Sequence, residues 1–249
     1  EQLDLSREEV MAAAGMKEKQ GKTGDGSSAS GERVLEQKQP GLYTVIWHPI
    51  GGQPRPETLA SLGELMQSID GTELRLAPDE TAYIINLTGA EAEKILEATK
   101  ETAQTKFETS VSCIGASICQ VGARDSQALL QVCVKAVGEA QIPDGALPQI
   151  HISGCPSSCG THQTGPMGFR GGVRMADGKA QPAFVFYLGG NEVQGKETMG
   201  REFGTMFESE IPSFLVKLGK EIAARGLDFE SYRTQYPDGI EKAAAEYLA

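Results

Sequence analysis

The 249-residue sequence contains few of the residues that identify several common classes of protein. Five cysteines are too few for the disulfide framework of a secreted chain of this length, and their number is odd. Lys and Arg together number 23 against 34 Asp and Glu, so the formal net charge is -11. This shortage of positive charge gives the chain no electrostatic reason to bind nucleic acid or an anionic membrane surface. We therefore expect neither partner.

Long apolar segments are also missing. No run approaches the roughly 20 apolar residues of a membrane-spanning helix, and the N-terminal residues have neither the basic nor the apolar region of a secretory signal peptide. A chain with few cysteines and no such signal is expected in the cytoplasm, where thiols stay reduced and available to bind metals. The sequence begins with Glu1 rather than Met, which suggests a processed or excised chain.

Residues 1–40 are predicted to form an N-terminal helix followed by a flexible linker. Ser6 and Glu9 have the spacing of a capping box, which indicates a helix over residues 6–20. The stretch from Gly21 to Gly31 has almost no apolar residue and is rich in Gly and Ser, a composition typical of a flexible segment. A domain boundary is therefore expected near residue 40.

Residues 41–104 are predicted to form an α+β half-domain. Thr88 and Glu91 form a second capping box, after a series of apolar runs and alternating segments. The order strand, helix, strand, strand, helix fits an antiparallel sheet with helices on one face. The predicted elements are a strand over 42–47, a helix over 59–69, strands over 73–76 and 82–87, and a helix from 88 onward.

Residues 105–249 differ in texture, because glycine- and cysteine-rich loops alternate with short periodic elements. We predict a second α+β domain here. Its expected elements are helices over 126–137 and 213–225 and strands over 149–152, 168–175 and 183–188.

Four cysteines form two closely spaced pairs in this second domain. Five residues separate Cys113 from Cys119, three separate Cys155 from Cys159, and 35 lie between the pairs. Each pair lies on a loop of small residues, which let backbone amides approach the inorganic sulfides of an iron-sulfur cluster. A structural zinc site is the alternative, but zinc pairs usually have two to four intervening residues, a spacing that only the second pair meets. Spacing alone leaves both metals open.

Cys133 is predicted to have no metal role. It lies in the helical pattern of Leu129, Leu130, Val134 and Val137, so its expected role is that of a small buried hydrophobic residue.

Two longer strings and a short motif sharpen the interpretation. SCIGASICQVGARDSQALL (112–130), ISGCPSSCGTHQTGPMGFRGG (152–172) and FYLGGN (186–191) together resemble the siroheme and 4Fe-4S signature of the nitrite and sulfite reductase family. The two cysteine spacings and the downstream Leu-Gly-Gly-Asn agree with that signature in order. Residues 41–87 also resemble the ferredoxin-like half-domain that precedes the signature, so the resemblance covers about residues 41–220.

The resemblance implies a fold and a set of cofactors. The fold would be α+β, with a ferredoxin-like half-domain (41–104) followed by a siroheme and 4Fe-4S binding domain (105–249). All four cysteines, Cys113, Cys119, Cys155 and Cys159, would bind the 4Fe-4S cluster, and the Cys159 thiolate would also be the axial siroheme ligand that bridges the two cofactors. Nitrite would be reduced to ammonia, or sulfite to sulfide, by six electrons from a ferredoxin or a reductase subunit.

The resemblance further implies that this chain is the carboxy-terminal half of such an enzyme. The amino-terminal half would be a further partner and would supply most of the cations that bind the oxyanion substrate. Arg124, Arg170 and Arg174 are the basic residues nearest the signature, and each could be a surface charge or contact the siroheme carboxylates. No catalytic residue is therefore assigned.

The histidines and two departures from the family pattern complete the prediction. His48 and His151 are expected to be structural, whereas His162 could approach the cofactor without being a heme ligand. Sulfite-reducing members of the family often have an Arg soon after the last cysteine. Residues 160–163 contain no Arg, and in this they resemble the nitrite-reducing members. Where relatives tend to have an Asn or Arg next to Gln, this chain has Asp79-Glu80-Thr81, so the resemblance does not extend to a siroheme contact from that loop. Two other functions compete with the reductase. One is an electron-transfer module with a cluster but no siroheme, and the other is a zinc-stabilised binding protein.

Overall fold

A computed structural model describes residues 6–14 and 21–248 of the chain. The first helix, α1 (Arg7–Ala13), begins after Ser6, whose hydroxyl accepts the Glu9 N–H while the Glu9 carboxylate accepts the Ser6 N–H. The predicted capping box is therefore confirmed, although residues 15–20 of the predicted helix lie outside the described residues. In the described part, no helix has both the length and the apolar character needed to cross a membrane.

The chain divides into two compact units. The first contains the described residues up to 46 together with 60–75 and 83–99, and the second contains 47–59, 76–82 and the described residues from 100 onward. Both units mix helices with a sheet, so the α+β class predicted from the sequence is confirmed.

The first sheet has four strands in the order β1-β2-β4-β3. Strand β1 pairs antiparallel with β2, with Val34 opposite Val45. Val45, Ile84 and Ile95 are fully buried, which explains the apolar runs seen in the sequence. The elements of this part are β1 (Val34–Glu36), β2 (Tyr43–Trp47), α2 (Pro56–Gln67), β3 (Glu73–Leu76), β4 (Ala82–Leu87) and α3 (Gly89–Ala98).

The segment expected to be a flexible linker instead makes specific contacts within the first unit. The Lys22 ammonium forms an ion pair with Glu91 at 2.5 Å, and the Ser27 hydroxyl accepts the N–H of Ala90 at 2.8 Å. Gly24 lies directly against Gly41, where a Cβ on Gly24 would be 2.7 Å from the Gly41 Cα. Because polar and main-chain groups make these contacts, a search for apolar residues could not predict them.

The second sheet has five strands in the order β5-β6-β7-β8-β9. Strands β5, β6 and β7 run parallel, and β7, β8 and β9 run antiparallel. The elements are β5 (Val111–Ser112), α4 (Ser126–Glu139), β6 (Ile150–Ser153), β7 (Met167–Ala176), β8 (Lys179–Leu188), β9 (Arg201–Phe207), α5 (Ile211–Ala224), α6 (Phe229–Gln235) and α7 (Gly239–Ala244).

The two faces of the second sheet differ in chemistry, because alternate residues of a strand point to opposite sides. One face packs into the hydrophobic core with residues of α4 and α5. The other carries His151, Ser153, Arg170 and Tyr187, which we call the polar face. The strand registers place these residues together, since Ser153 is opposite Arg170, and Gly168 is opposite both His151 and Tyr187. The core side is formed by Ile150, Ile152, Met167, Phe169, Phe184 and Phe186.

Five short elements were not predicted from the sequence: β1, β5, β9, α6 and α7. Strand β5 has two residues, too few for a periodic pattern. Strand β9 contains Gly204, and its pairing with β8 is irregular between Phe186 and Tyr187. A strand interrupted in this way has no regular alternation to find.

Candidate metal centre

The two cysteine loops follow two neighbouring parallel strands. Cys113 comes directly after β5, and Cys155 follows β6 after one intervening residue. Neighbouring parallel strands end at the same edge of a sheet, which is where such sheets commonly bind ligands. The Gly154 N–H donates a hydrogen bond of 3.1 Å to Cys113 Sγ, and the Gly154 carbonyl accepts the N–H groups of Ala123 and Arg124. The structure therefore brings the two cysteine loops into direct contact.

Cys113 lies at the beginning of α4. Its Sγ is 3.2 Å from the Ser126 hydroxyl, which donates to the Cys113 carbonyl at 2.7 Å. Ser126 is the first residue of this 14-residue helix, and Asp125 caps it by accepting the Ala128 N–H. Cys113 Sγ therefore lies beside the N-terminus of α4, within hydrogen-bond distance of the Ser126 hydroxyl and of the Gly154 N–H.

Cys119 is held by a closed turn. Its N–H donates to the Gly115 carbonyl at 2.9 Å, and its carbonyl accepts the Gly122 N–H at 3.1 Å. Gly115 has a φ of 71°, and a Cβ there would be 2.7 Å from the Ser126 nitrogen. Only glycine fits at this position, because any side chain would both strain the backbone and collide with the start of α4.

Cys155 and Cys159 differ in their surroundings. Cys155 is buried, whereas Cys159 is exposed. Hydrogen bonds from the Ser157 hydroxyl and main chain lower the pKa of the Cys155 thiol, which favours the thiolate that a metal requires. Ser158 and Thr161, on either side of Cys159, have φ values of 61° and 48° in the left-handed region. The loop therefore turns sharply around Cys159.

Residues of the polar face hydrogen-bond to the loop that carries Cys155 and Cys159. The Thr161 hydroxyl is 2.8 Å from His151 Nδ1, and the Gly160 N–H donates to the Ser153 hydroxyl at 3.1 Å. A Cβ on Gly160 would be 2.0 Å from the Ile152 carbonyl oxygen, so the loop lies directly on β6. The sequence did not predict these contacts, which join residues of different elements.

The remaining cysteine and two histidines have structural positions, as expected. Cys133 is fully buried in α4 within the hydrophobic core, and burial raises the pKa of its thiol. His48 Nδ1 is 2.9 Å from the Thr81 hydroxyl, and burial lowers the pKa of His48. His151 is equally buried on the polar face. All three side chains are buried, and their contacts are those of structural residues.

The three arginines near the signature have different partners. Arg174 donates to the carbonyls of Thr205 and Tyr247, and its guanidinium lies 4.3 Å from the centre of the Phe207 ring, so its position is structural. Arg170 Nη2 is 3.6 Å from the Glu202 carboxylate. The buried Nε atoms of Arg170 and Arg124 have no hydrogen-bond partner among the described residues.

Glu80 is a neighbour of the site that the sequence did not identify. Its Oε1 accepts the N–H of Ser112, the residue before Cys113, at 2.9 Å. Burial raises the pKa of Glu80 to about 7, an effect opposed by the Ser112 hydrogen bond and increased by Asp79. Its Oε2 is buried without a partner among the described residues. In the sequence, residues 79–81 differed from the family pattern, but that difference did not indicate a contact with Ser112.

The donor chemistry fits an iron-sulfur cluster. Over residues 6–14 and 21–248, no three His, Cys, Asp or Glu side chains converge as they do around a single metal ion. The four sulfurs lie on two adjacent loops, and four cysteine thiolates are the ligand set of a 4Fe-4S cluster. Buried N–H groups without acceptors, on Arg124 and Arg170, match an anionic group more than a second cation.

Comparisons with known proteins give consistent results. No family model matches the sequence. The chain is 27% identical over 186 residues to ferredoxin–nitrite reductase of Leptolyngbya laminosa, an alignment covering 72% of this chain and 35% of that protein. It is 28% identical over 170 residues to ferredoxin–nitrite reductase of Synechococcus elongatus, covering 63% of this chain and 31% of that one. It is 24% identical over 161 residues to sulfite reductase [ferredoxin] 1 of Mycolicibacterium paratuberculosis, covering 60% and 29%.

Solved structures show the same fold. The NirA protein of Mycobacterium tuberculosis superimposes with a TM-score of 0.66 and 20% identity, over 81% of this chain and 39% of that chain. Dissimilatory sulfite reductase I superimposes with a TM-score of 0.56 and 11% identity, over 95% of this chain and 78% of that chain. The alignments to the curated relatives span about a third of the length of those proteins.

Proposed function

Taking its membership in the nitrite and sulfite reductase family as the premise, we propose that this chain carries the metal cofactors of such an enzyme. Cys113, Cys119, Cys155 and Cys159 would hold a 4Fe-4S cluster. The Cys159 thiolate would be shared with the iron of a siroheme, so that both cofactors act as one redox unit. The reaction would be the six-electron reduction of nitrite to ammonia or of sulfite to sulfide.

The observation that carries the proposal is the hydrogen bond from Gly154 to Cys113 Sγ. It joins the loop of one cysteine pair to the loop of the other, although 35 residues separate the pairs in the sequence. An N–H donor to sulfur is the type of contact that stabilises a cluster thiolate and tunes its reduction potential. The parallel arrangement of β5 and β6 makes this meeting a consequence of the fold.

The exposure of Cys159 supports its assignment as the shared ligand. A sulfur that binds both a cluster iron and a siroheme iron needs open space on the side away from the cluster. Cys159 is exposed, while Cys155 is buried and Cys113 and Cys119 are half-buried. Of the four, Cys159 therefore has the most room for a second large group.

The cofactors would supply electron transfer and an open iron coordination position, and the chain would supply their surroundings. The hydrogen bonds from Ser157 would favour the thiolate form of Cys155, and the Gly154 N–H would donate to the sulfur of Cys113. The buried N–H groups of Arg124 and Arg170 would pair with anionic groups, such as the siroheme carboxylates. Tyr187 and Arg170 share the Glu202 carboxylate and form a polar cluster on the same sheet face.

The partners follow from the length and charge of the chain. Because the curated relatives are about three times longer than the matched region, we propose that an amino-terminal half completes the enzyme and contributes most of the substrate-binding cations. The names of the three curated relatives include ferredoxin, which supports a ferredoxin as electron donor. The net charge of -11 makes this chain by itself a poor dock for an acidic donor, so a basic docking patch would lie on that other half.

Anaerobic reconstitution tests the proposal. The chain is loaded with iron, sulfide and siroheme, iron is counted per chain, and the visible spectrum is recorded. We expect four cluster irons plus one siroheme iron, with strong Soret and red bands. The variant Cys133→Ala should give the same spectrum, because Cys133 is in the core. A broad brown shoulder without siroheme bands would indicate an electron-transfer module instead, and a colourless protein that binds zinc would contradict both readings.

A further inference from the structure

His162 is a polar side chain with no solvent exposure, three residues after the exposed Cys159. The chain therefore passes from the surface into the interior within one turn of the loop. The reaction proposed above gives His162 no role as ligand or as acid. Its burial calls for an explanation, because a buried imidazole is costly unless its nitrogens are bound.

The contacts of Nδ1 connect the strand and the loop. Nδ1 is 2.9 Å from the hydroxyl of Ser153, the last residue of β6, and 3.4 Å from the hydroxyl of Ser158, the residue before Cys159. The Ser153 hydroxyl also accepts the N–H of Gly160, the residue after Cys159, at 3.1 Å. The His162 imidazole and the Ser153 hydroxyl therefore contact the loop on both sides of Cys159.

The hydrogen-bond network favours the tautomer with the ring proton on Nδ1. The Ser158 hydroxyl donates to the side-chain oxygen of Gln163, so towards His162 it can only accept. The Ser153 hydroxyl accepts the Gly160 N–H with one lone pair and can accept the Nδ1–H with the other. Nε2 then has no proton, which suits its buried position without a hydrogen-bond partner among the described residues. Burial, followed by the positive charge of Arg170 and the neighbouring His151, lowers the pKa of His162 to about 4.

The ring and the main chain of His162 are also fixed on the polar face. The imidazole packs against the Tyr187 ring, with 4.9 Å between the ring centres and an angle of 60° between the planes. The His162 carbonyl lies over Gly168 so closely that a Cβ there would be 1.7 Å from its oxygen. The loop thus has little freedom to shift along the sheet once His162 is in place.

The loop needs such support because its backbone is strained. Ser158 and Thr161 are non-glycine residues in the left-handed region, with φ values of 61° and 48°. Conformations of this kind cost free energy and persist only where surrounding contacts determine them. The contacts through His162 and Ser153 are available for this purpose.

We propose that His162 is a positioning residue, which through Ser153 and Ser158 fixes the direction in which Cys159 presents its sulfur. The inference rests on the proposed function, since it takes Cys159 as a ligand shared by two cofactors. It adds to that function a residue that touches neither metal and acts through the shape of the loop. A shared ligand has to face two irons at once, so its direction matters more than for a ligand of one iron.

Three substitutions separate the positioning role from the volume of the ring. His162→Asn places an amide near the position of Nδ1, His162→Gln places it near Nε2, and His162→Leu fills the space without a polar atom. The first readout is amide hydrogen exchange of residues 154–164 in the cofactor-free chain. We expect exchange at Gly160 to be about tenfold faster in the Leu and Gln variants, since one buried hydrogen bond is lost, and close to wild type in the Asn variant.

A second buried histidine provides the control. His48→Leu removes an equally buried ring that contacts Thr81 and not the cysteine loop, so exchange at Gly160 should not change. Unchanged exchange at Gly160 in both the Leu and Gln variants of His162 would overturn the inference. So would a His162→Asn variant that exchanges as fast as His162→Gln, because the position of the amide would then be irrelevant.

The second readout uses the reconstituted chain. Loss of iron to a chelator should be about 10- to 100-fold faster in the Leu and Gln variants, the usual effect of removing support from a metal ligand. Ser153→Ala should have the same effect, and the double variant should show little further loss, because both residues act in one network. A wild-type chain that assembles no cluster would contradict the proposed function, while the exchange data would still decide the role of His162. Equal iron retention in all His162 variants would contradict this inference alone.

Discussion

The main-chain N–H of Ser112 donates a hydrogen bond of 2.9 Å to Oε1 of Glu80, directly before the first cysteine of the site. Burial raises the pKa of Glu80 from its ordinary value of 4.5 to about 7. The folded chain therefore keeps the proton in a pH range where the unfolded chain has released it. Stability from this group is present at low pH and is lost as the pH rises from 4.5 to about 7.

The first prediction concerns Glu80→Gln, which keeps an acceptor for Ser112 but cannot ionise. The pKa shift of Glu80 corresponds to about 3 kcal/mol between the two ends of its pH range. We expect the variant, relative to wild type, to gain most of that amount in unfolding free energy between pH 4.5 and pH 8. Urea unfolding of the cofactor-free chain at both pH values measures it. Glu57→Gln, at an exposed position, is the control and should show no such gain.

The second prediction concerns two glycines of β7. Gly168→Ala would place a methyl group 1.7 Å from the His162 carbonyl oxygen, whereas Gly172→Ala meets no atom within 4 Å. We expect the first substitution to cost about 4 kcal/mol of unfolding free energy or more, and the second to change it by less than about 0.5 kcal/mol. Urea unfolding of both variants decides. Equal stability would mean that the loop does not lie on Gly168 as described.

The third prediction separates Cys159 from the other ligands. A Cys→Ser substitution replaces a soft thiolate by a weakly acidic hydroxyl. We expect the cluster, and the siroheme with it, to be lost in each of Cys113→Ser, Cys119→Ser and Cys155→Ser. Cys159→Ser removes the proposed bridge, so any cluster that survives should show no magnetic coupling to the siroheme. Electron paramagnetic resonance of each variant is the measurement. If the two cofactors remain coupled in Cys159→Ser and lose their coupling in Cys155→Ser, then Cys159 is not the bridging ligand.

The fourth prediction concerns the chain by itself. Because it matches about a third of its relatives and would lack most of the substrate-binding cations, the reconstituted chain should reduce nitrite and sulfite at least about 100-fold more slowly than an intact reductase. Product formation with a chemical electron donor, which bypasses docking, is the assay. Rates comparable with an intact enzyme would show that this chain has its own oxyanion site.

The main elements and the cysteine loops could be predicted from the sequence because their signals are local. The helix over 126–137 and the strands around 150 and 170 are close to the observed α4, β6 and β7. Cysteine spacing is likewise a local pattern. The pattern also identified Cys133 correctly as a core residue, from its apolar neighbours alone.

The supports of the site could not be predicted, since they depend on contacts between distant residues. Glu80 binds Ser112 across 32 positions, and Gly154 binds Cys113 across 41. Ser153 and His162 are polar residues without periodicity, and nothing in their spacing indicates that β6 and the loop meet through them. The glycine-rich segment after residue 20 was expected to be a flexible linker, but it contacts Glu91 and Gly41. These contacts are polar or main-chain, so the lack of apolar residues in the segment did not reveal them.

The short length of β5 leaves its outer edge to side chains. Val111 and Ser112 form the outermost strand of the second sheet and pair with one strand only, β6. In place of a further strand, Glu80 accepts the Ser112 N–H and Gln127 donates to the Ser112 carbonyl, and both strand residues are buried. We expect faster amide exchange at Val111 than at Ile152 in the cofactor-free chain, because β5 pairs with a single strand. The first cysteine of the site is therefore anchored by contacts from three separate parts of the chain.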